Sequence, residues 1–194
     1  MDPYKITRIL TDEQRHQLLD MYHAGEHKYA TQDYNLHDCT KVHTTVEQQH
    51  SSVFKDLDAF AASHEGVGTA YSHYFLHYGR NGFTKSHSDN DDDVGLTIVT
   101  LLETTPGLKG GETIVTLPYD GPANDSGYVK GNRTNESNDT RCIFRVVPME
   151  EGDSISYSRS LMHAVSQVEQ GHRIVCVSWY RTDDPALLDK KSSE

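Results

Sequence analysis

From residue 69 onward the sequence consists of short runs rich in β-branched and aromatic residues, and turn residues separate them. The runs are Ala70–Tyr78, Leu96–Leu102, Glu112–Leu117, Cys142–Val147, Ser154–Tyr157, Ala164–Val168 and Arg173–Tyr180. Runs of this length and composition are typical of strands, and Gly110-Gly111 and Gly152-Asp153 mark turns between them. We predict about seven or eight short strands, which is the strand content of an antiparallel barrel or a jelly roll.

The first third of the chain carries two helical patterns. Thr11 followed by Gln14 is a capping-box signature, and Gly25 is a stop signal for the helix that it begins. A second helix is predicted to begin after Thr44, with Glu47 at the matching capping position. The apolar residues of this second helix, at helical spacing, are Val46, Val53, Phe54, Leu57, Phe60 and Ala61.

These patterns predict a single α+β domain over residues 1–194. Its helical part covers residues 1–68 and packs on one face of a barrel at residues 69–181. Residues 26–43, between the two helices, show no clear period and are predicted as a loop with one short strand.

The composition is that of a globular protein with reduced thiols. Charged residues make up 24% and hydrophobic residues 35% of the 194. The net charge of -11 argues against a nucleic-acid backbone as the main partner, because phosphate binding needs a basic surface. No apolar run is long enough to cross a bilayer, and the first residues lack the apolar core of a signal peptide. Three cysteines without Cys-x-x-Cys spacing are expected to be reduced, so we predict a cytoplasmic location.

A His-x-Asp pair occurs at one place, His87 and Asp89, within the stretch 78–89. In an extended strand the two side chains point to the same face, because side-chain direction repeats every two residues. One imidazole and one carboxylate on a common face supply two thirds of a facial site for ferrous iron. A chain with 12 histidines produces such a pair easily, so a second, distant histidine has to complete the site.

His163 and Arg173 are the residues that give the pair its context. His163 comes just before the last predicted hairpin, and Arg173 stands ten residues later, across the turn, at the start of an apolar strand. If that hairpin closes the barrel, both side chains face inward near His87 and Asp89. An inward arginine is costly unless it binds an anion, and its planar fork suits a carboxylate.

These residues resemble the motifs of the 2-oxoglutarate- and Fe(II)-dependent oxygenases, and within them the prolyl-4-hydroxylase-like group. The resemblance covers roughly residues 70–180. The matching pieces are Tyr78-Gly79, Gly82-Phe83, His87-Ser-Asp89, Gly110-Gly-Glu-Thr113, Gly152-Asp153, His163 and Gly171-His-Arg173. The fold that the resemblance implies is the double-stranded β-helix, also called a jelly-roll or cupin-like barrel.

The resemblance also implies roles for individual residues. His87, Asp89 and His163 would be the iron ligands, and Arg173 would bind the distal carboxylate of 2-oxoglutarate. Tyr78 occupies the position of a family tyrosine near the cosubstrate, although a tyrosine on an apolar strand is equally often only part of the core.

Thr97, on the central strand, would assist in binding the cosubstrate. Related hydroxylases often carry a tyrosine on the strand after the His-x-Asp motif, where this chain has Thr100 and Leu101. The contacts to the cosubstrate are therefore expected to differ from the family pattern in detail.

The activity implied is that of a dioxygenase that consumes 2-oxoglutarate and O2 and hydroxylates an aliphatic C–H, with ascorbate as a candidate reductant. A carboxylate ligand at Asp89 favours hydroxylation over halogenation, which needs an open position for the halide. The expected substrate is a prolyl or similar residue of a peptide or protein. A free amino acid or another small molecule is the alternative.

Other classes of function fit less well. Nucleic-acid demethylases of the same superfamily are expected to carry a second arginine six residues after the one that corresponds to Arg173. This chain has Trp179 at that position. A non-catalytic, cupin-like metal-binding sensor, or a zinc hydrolase, would leave Arg173 unexplained.

Three further features stay open. Gly110-Gly111 reads most simply as a hairpin turn, with Glu112 in a structural role. Asp91, Asp92 and Asp93 form a solvated acidic loop or recognise a cationic substrate. The long polar segment at residues 119–140 is either a lid over the site or a disordered insertion.

Overall fold

In a computed structural model of the protein, residues 3–29, 36–89, 93–118, 129–130 and 141–183 are described, and they form thirteen strands and three α-helices. The strands are β1 (Tyr4–Arg8), β2 (His27–Tyr29), β3 (His37–Asp38), β4 (Thr40–His43), β5 (Val67–Tyr78), β6 (Phe83–His87), β7 (Val94–Thr104), β8 (Thr113–Pro118), β9 (Val129–Lys130), β10 (Arg141–Val147), β11 (Asp153–Ser158), β12 (His163–Val165) and β13 (Arg173–Thr182). The helices are α1 (Asp12–Ala24), α2 (Val46–Gln49) and α3 (Lys55–Ala62), and a 3-10 turn at Ser52–Phe54 joins the last two.

The strands form two antiparallel sheets. The seven-stranded sheet has the order β1-β11-β7-β13-β5-β4-β2, and the six-stranded sheet has the order β3-β6-β12-β8-β10-β9. β7, β11 and β13 belong to the first sheet, whereas the strands directly before them in the chain, β6, β10 and β12, belong to the second. A chain that crosses repeatedly between two sheets is the arrangement of a double-sheet jelly roll.

The predicted hairpin at the C-terminal end of the barrel is wrong. β12 pairs with β6 and β8, whereas β13 pairs with β5 and β7 in the other sheet. The turn around Gly171, which has a φ of 84°, therefore carries the chain from one sheet to the other. Gly110-Gly111 likewise connects β7 to β8 across the two sheets and is not a hairpin turn. Turn residues mark where a chain reverses, but they do not specify which strand it pairs with next.

Helix α1 agrees with its prediction. Thr11 is the N-cap, its side chain accepts a hydrogen bond from the Gln14 backbone, and the Gln14 side chain accepts one in return from the backbone N–H of Thr11. Gly25 caps the C-terminal end. No helix in the described part of the chain is long and apolar enough to cross a membrane.

The second predicted helix is displaced and divided. Its capping box is formed by Thr45 and Gln48, one residue later than predicted, because the Thr44 hydroxyl instead donates to the carbonyl of His73 on β5. The helix ends at Gln49, and the chain continues into α3 only after the 3-10 turn. Val46, one of the apolar residues at helical spacing in the predicted helix, is 78% exposed on the short α2.

Both helical segments contact the outer face of the seven-stranded sheet. One core cluster combines apolar side chains from α1, from the turn before α3 and from α3 with residues of β5, β7 and β13. Its largest fully buried members include Leu18, Phe54, Leu57, Phe75 and Ile98. At about 25 cal/mol per Å2 of apolar area, burying one such side chain contributes about 1.5–3 kcal/mol.

Strand β13 is buried on both faces, which explains its continuous apolar sequence. Ile174 and Cys176 belong to the cluster under the helices, whereas Val175 and Val177 face the interior of the barrel. Arg173 lies on the same interior face as the two valines. Strands buried on both sides lose the period-two pattern, so the sequence alone did not show which face Arg173 takes.

Among the glycines between β7 and β8, substitution of Gly110 is expected to destabilise the fold most. It has a φ of 73°, and a Cβ atom there would overlap the carbonyl oxygen of Gln167. We expect Gly110→Ala to lower the free energy of unfolding by about 2–5 kcal/mol, from left-handed strain and overpacking together. Gly107 has a φ of 78° with nothing within 4 Å of an added Cβ, so Gly107→Ala should cost only about 1–2 kcal/mol. Urea unfolding of both variants measures the difference, and equal losses would contradict the predicted overlap.

Candidate active site

Two histidines and one aspartate come together where β6 and β12 meet. His87 is the last residue of β6, His163 is the first residue of β12, and the two are directly opposite each other in the antiparallel pair. Asp89 follows two residues after the end of β6. Its Oδ1 lies 3.6 Å from Nε2 of His87 and 3.8 Å from Nε2 of His163. In the described part of the chain, this is the one group of three or more His, Cys, Asp or Glu residues whose ligand atoms all lie close enough to share an ion, within 4.8 Å of one another.

The backbone orients both imidazoles in the same way. Nδ1 of His87 lies 2.9 Å from the carbonyl oxygen of Lys85, and Nδ1 of His163 lies 3.0 Å from that of Leu161. A carbonyl oxygen only accepts, so each Nδ1 donates its N–H, and each Nε2 faces Asp89, where a metal would displace any proton that it holds. Hydrogen bonds of this kind hold a histidine in the tautomer and orientation that a metal needs. Sequence reasoning named no such partners, yet both lie two residues before their histidine.

Asp89 is buried and held as a carboxylate. Burial by itself would raise its pKa, but the nearby imidazoles of His87 and His163 and a hydrogen bond from Thr97 together lower the pKa of Asp89. The Thr97 hydroxyl donates to Oδ2 at 2.7 Å, which leaves Oδ1 facing the two histidines. Burial also lowers the pKa of His163, which favours the neutral imidazole. Burial opposes the shift at His87, but the adjacent Asp89 carboxylate raises the pKa of that imidazole. Neutral imidazoles and an ionised carboxylate are the forms that bind a divalent metal, so metal binding would displace a proton from His87.

Thr97 therefore contacts a candidate metal ligand and does not line the cavity in which the cosubstrate was expected. We expect Thr97→Val to weaken Fe(II) binding about 10- to 100-fold, because Asp89 loses the hydrogen bond that orients it. Thr100→Val is the matched control, since Thr100 lies on the same strand and its hydroxyl bonds to Ser154 at 2.7 Å. Anaerobic Fe(II) titration measures both variants, and equal affinities would show that the Thr97 hydroxyl does not support the metal.

Next to the three ligands the barrel encloses a cavity of about 220 Å3. Arg173 lines it and is only 3% exposed. Its guanidinium donates to the carbonyl of Gly111 and, at 3.3 Å from both terminal nitrogens, to the Thr113 hydroxyl. Within the described ranges it forms no ion pair, and its Nε has no hydrogen-bond partner. Burial lowers the pKa of Arg173, so the site holds a costly cation that an anionic ligand would stabilise.

Tyr78 lies beside this arginine. The two residues are cross-strand partners on β5 and β13, and the Arg173 Cζ lies 5.9 Å from the centre of the Tyr78 ring. The Tyr78 hydroxyl bonds to Thr84 at 2.9 Å, and burial raises the pKa of Tyr78, so it stays neutral. Thr100 does not line the cavity and Leu101 belongs to the apolar cluster around Tyr78. No hydroxyl from these two positions therefore reaches the cavity.

Among the cavity residues that the sequence reasoning missed are His37 and Lys41. Both belong to residues 26–43, which were predicted as a loop with one short strand, whereas the structure has three short strands there. Strands of two to four residues are too short to show a period of two, so no local signal could have identified them.

The open features are resolved only in part. Asp93 forms an ion pair with Arg181 at 3.6 Å, and Asp91 and Asp92 lie outside the described residues. Glu112 is exposed and accepts a hydrogen bond from the Ser166 hydroxyl. The segment at residues 119–140, expected to be a lid or a disordered insertion, lies outside the described residues except for β9, which pairs with β10.

No family profile matches the sequence, and no curated protein matches it. Solved structures do match its fold. A 2OG-Fe(II) oxygenase family oxidoreductase from Burkholderia pseudomallei superposes with a TM-score of 0.64 at 14% identity, over 92% of this chain and 85% of that one. A prolyl hydroxylase from Trichoplax adhaerens, in complex with a hypoxia-inducible factor peptide fragment, gives 0.64 at 13% identity, over 100% and 88%.

The chain has the fold of the 2-oxoglutarate- and Fe(II)-dependent oxygenases. The predicted double-stranded β-helix and the resemblance to prolyl hydroxylases are thereby confirmed for the fold. The oxygenase fold also includes SnoN, a non-heme α-ketoglutarate-dependent epimerase of nogalamycin biosynthesis, with a TM-score of 0.65 at 17% identity over 93% of this chain and 77% of that one. Because one fold supports different reactions, the reaction has to be argued from the side chains.

Proposed function

We propose that the protein is an Fe(II)- and 2-oxoglutarate-dependent dioxygenase that hydroxylates an aliphatic C–H of a prolyl or similar residue in a peptide or protein. The observation that carries the proposal is the pairing of two features at one cavity: a His-Asp-His cluster and a buried guanidinium without a carboxylate partner in the described ranges. A metal-binding sensor or a zinc hydrolase needs the first feature but not the second.

The side chains divide the work between them. His87, Asp89 and His163 would hold Fe(II) on one face, which leaves its remaining positions open. Arg173 would bind the distal carboxylate of 2-oxoglutarate through its planar fork, and Tyr78 would pack beside that carboxylate. Apolar side chains on the interior face of β13, such as Val175 and Val177, would keep water from the reacting atoms.

Bound Fe(II) would supply the redox chemistry that couples O2 to decarboxylation of 2-oxoglutarate. One oxygen atom goes into succinate as CO2 leaves, and the other goes into the substrate C–H to give an alcohol. Two electrons come from 2-oxoglutarate and two from the C–H bond, so the reaction balances without a further reductant. Ascorbate is expected only to sustain repeated turnover.

Two observations support the choice of a peptide or protein substrate. A prolyl hydroxylase bound to a peptide fragment shares the fold, and the acidic balance of this chain disfavours a nucleic-acid substrate. A small-molecule substrate is the second candidate, because the epimerase SnoN, which has the same fold, belongs to nogalamycin biosynthesis and has a structure in complex with nogalamycin RO.

The test is succinate release from 2-oxoglutarate by anaerobically prepared, Fe(II)-loaded protein. Slow release without added substrate, abolished when Fe(II) or O2 is omitted, is the expected result. Proline-containing peptides and free amino acids are then added singly, and mass spectrometry identifies any member that gains one oxygen atom. A protein that does not bind 2-oxoglutarate would refute the proposal.

A further inference from the structure

A second cation lines the same cavity. Lys41 lies on β4, and its backbone is paired with Leu76 on β5, whereas Arg173 is paired with Tyr78 on the other side of β5. The two cations thus flank one strand on its interior face. The proposed reaction uses only one of them, because the proximal carboxylate of 2-oxoglutarate is expected at the metal and its distal one at Arg173.

Lys41 has no anion to balance it among the described residues. Its Nζ lies 3.8 Å from the centre of the Tyr74 ring, a cation–π contact, and it forms no ion pair with any carboxylate in the described ranges. Burial lowers the pKa of Lys41. A partly buried ammonium that is held only by an aromatic ring is unusual in a chain with a net charge of -11, where carboxylates are plentiful.

An unused donor lies close to the lysine. Trp179 also lines the cavity, and its ring is nearly perpendicular to the Tyr74 ring, with 5.4 Å between the two centroids. Its buried indole Nε1–H has no hydrogen-bond partner in the described part of the chain. An unpaired buried donor is costly, and an acceptor in the cavity would satisfy it. Tyr74 thus contacts both the ammonium group of Lys41 and the indole ring of Trp179.

This second group lies away from the first. Tyr74 and Tyr78 are four residues apart on β5, which is about 13 Å along a strand. Arg173 contacts the Tyr78 end of this row, and Lys41 contacts the Tyr74 end. Trp179 is the cross-strand partner of Thr97, whose hydroxyl bonds to Asp89. The group around Tyr74 therefore lies at the end of the row nearer to Thr97 and Asp89, which is where the proposed reaction needs its substrate.

We propose that Lys41 binds a carboxylate of the substrate, so that the protein hydroxylates a carboxylate-bearing substrate and discriminates against its neutral amide. The inference rests on the proposed function and narrows its substrate class. The carboxylate comes either from a free amino acid or from an acidic or C-terminal residue of a peptide, and the test separates these sources.

The experiment compares matched substrates that differ only in the carboxylate. The pairs are L-proline and L-prolinamide, a proline-containing peptide with a free or an amidated C-terminus, and one with glutamate or glutamine beside the proline. We expect the carboxylate member of one pair to stimulate succinate release with a kcat/KM about 10- to 100-fold higher than its amide, the range for a charged hydrogen bond. The pair that shows the preference identifies the source of the carboxylate.

Lys41→Met should lower kcat/KM for the carboxylate member about 10- to 100-fold and change that for the amide little, so that the preference disappears. Lys41→Arg should retain most of the preference, which separates loss of charge from loss of fold. Lys5→Met is the matched control, because Lys5 also lies over an aromatic ring, 5.4 Å from the centre of Phe60, but does not line the cavity.

Equal rates with carboxylate and amide in every pair, or an unchanged preference in Lys41→Met, would overturn the inference. A raised KM for 2-oxoglutarate in Lys41→Met, with no effect on the preference, would also overturn it and would assign Lys41 to the cosubstrate. Calorimetric titration of each pair into both proteins measures carboxylate binding without turnover. Failure of the proposed function is recognised separately, as loss of 2-oxoglutarate binding in the wild type.

Discussion

His163→Ala is expected to abolish succinate release and to weaken Fe(II) binding by more than about 100-fold. Loss of an outer hydrogen-bond partner alone costs about 10- to 100-fold in metal affinity, and this variant loses a ligand. His87 and Asp89 would remain, but two ligands cannot form the three-ligand face on which Fe(II) and its open positions depend.

The fold should survive this change. The His163 imidazole lies at the cavity, and the pairing of β12 with β6 and β8 is made by its backbone. We therefore expect the thermal unfolding midpoint of the metal-free variant to stay within a few degrees of the wild type.

His16→Ala is the matched control, since His16 is exposed on α1 and its Nδ1 bonds only to the local Asp12 carbonyl. Anaerobic Fe(II) titration and succinate release measure the two variants side by side. Wild-type Fe(II) affinity in the His163 variant would show that the cluster is not the metal site.

Arg173→Met is expected to weaken the binding of 2-oxoglutarate without lowering the stability of the ligand-free protein. In the ligand-free protein the guanidinium is a buried cation that donates hydrogen bonds to a carbonyl and a hydroxyl, and the exposed Glu112 attracts it without forming an ion pair. Replacing such a charge by an apolar side chain of similar volume is often neutral or stabilising. The unfolding midpoint of the ligand-free variant should therefore equal or exceed that of the wild type.

The affinity for 2-oxoglutarate should fall by about 30-fold or more, because removal of one partner of a buried charged pair costs about 2–5 kcal/mol. The stabilisation that 2-oxoglutarate gives to the wild type should disappear in the variant at the same concentration. Arg145→Met is the control, since Arg145 is exposed on β10. A variant that keeps its 2-oxoglutarate affinity would remove Arg173 from the proposed site.

The His-x-Asp motif pointed to two residues that do come together, although they do not both lie on one strand as expected. The prediction placed His87 and Asp89 on one face of a strand, but β6 ends at His87 and Asp89 follows it. Beyond the strand, the Thr97 hydroxyl on β7 holds the aspartate in place by donating a hydrogen bond to its carboxylate. The spacing singled out residues that the fold brings together, and tertiary contacts supply their geometry.

Local features of the fold could be predicted from the sequence because their causes are local. The capping box of Thr11 and Gln14 depends on residues three apart, and the apolar runs that became β5, β7 and β13 depend on their own composition. Local reasoning also placed the N-cap of α2 one residue too early. It could not show that the Thr44 hydroxyl donates to the carbonyl of His73, which is distant in sequence.

What the sequence by itself determined is a strand-rich barrel after two helical segments, and a set of His, Asp and Arg residues typical of an iron- and 2-oxoglutarate-binding site. The tertiary structure decided that β12 and β13 lie in different sheets and that His87 and His163 are opposite each other. It also placed Lys41 in the cavity with Arg173. Sheet pairing joins residues that are distant in sequence, and its energy comes from the burial of whole faces, which no local spacing encodes.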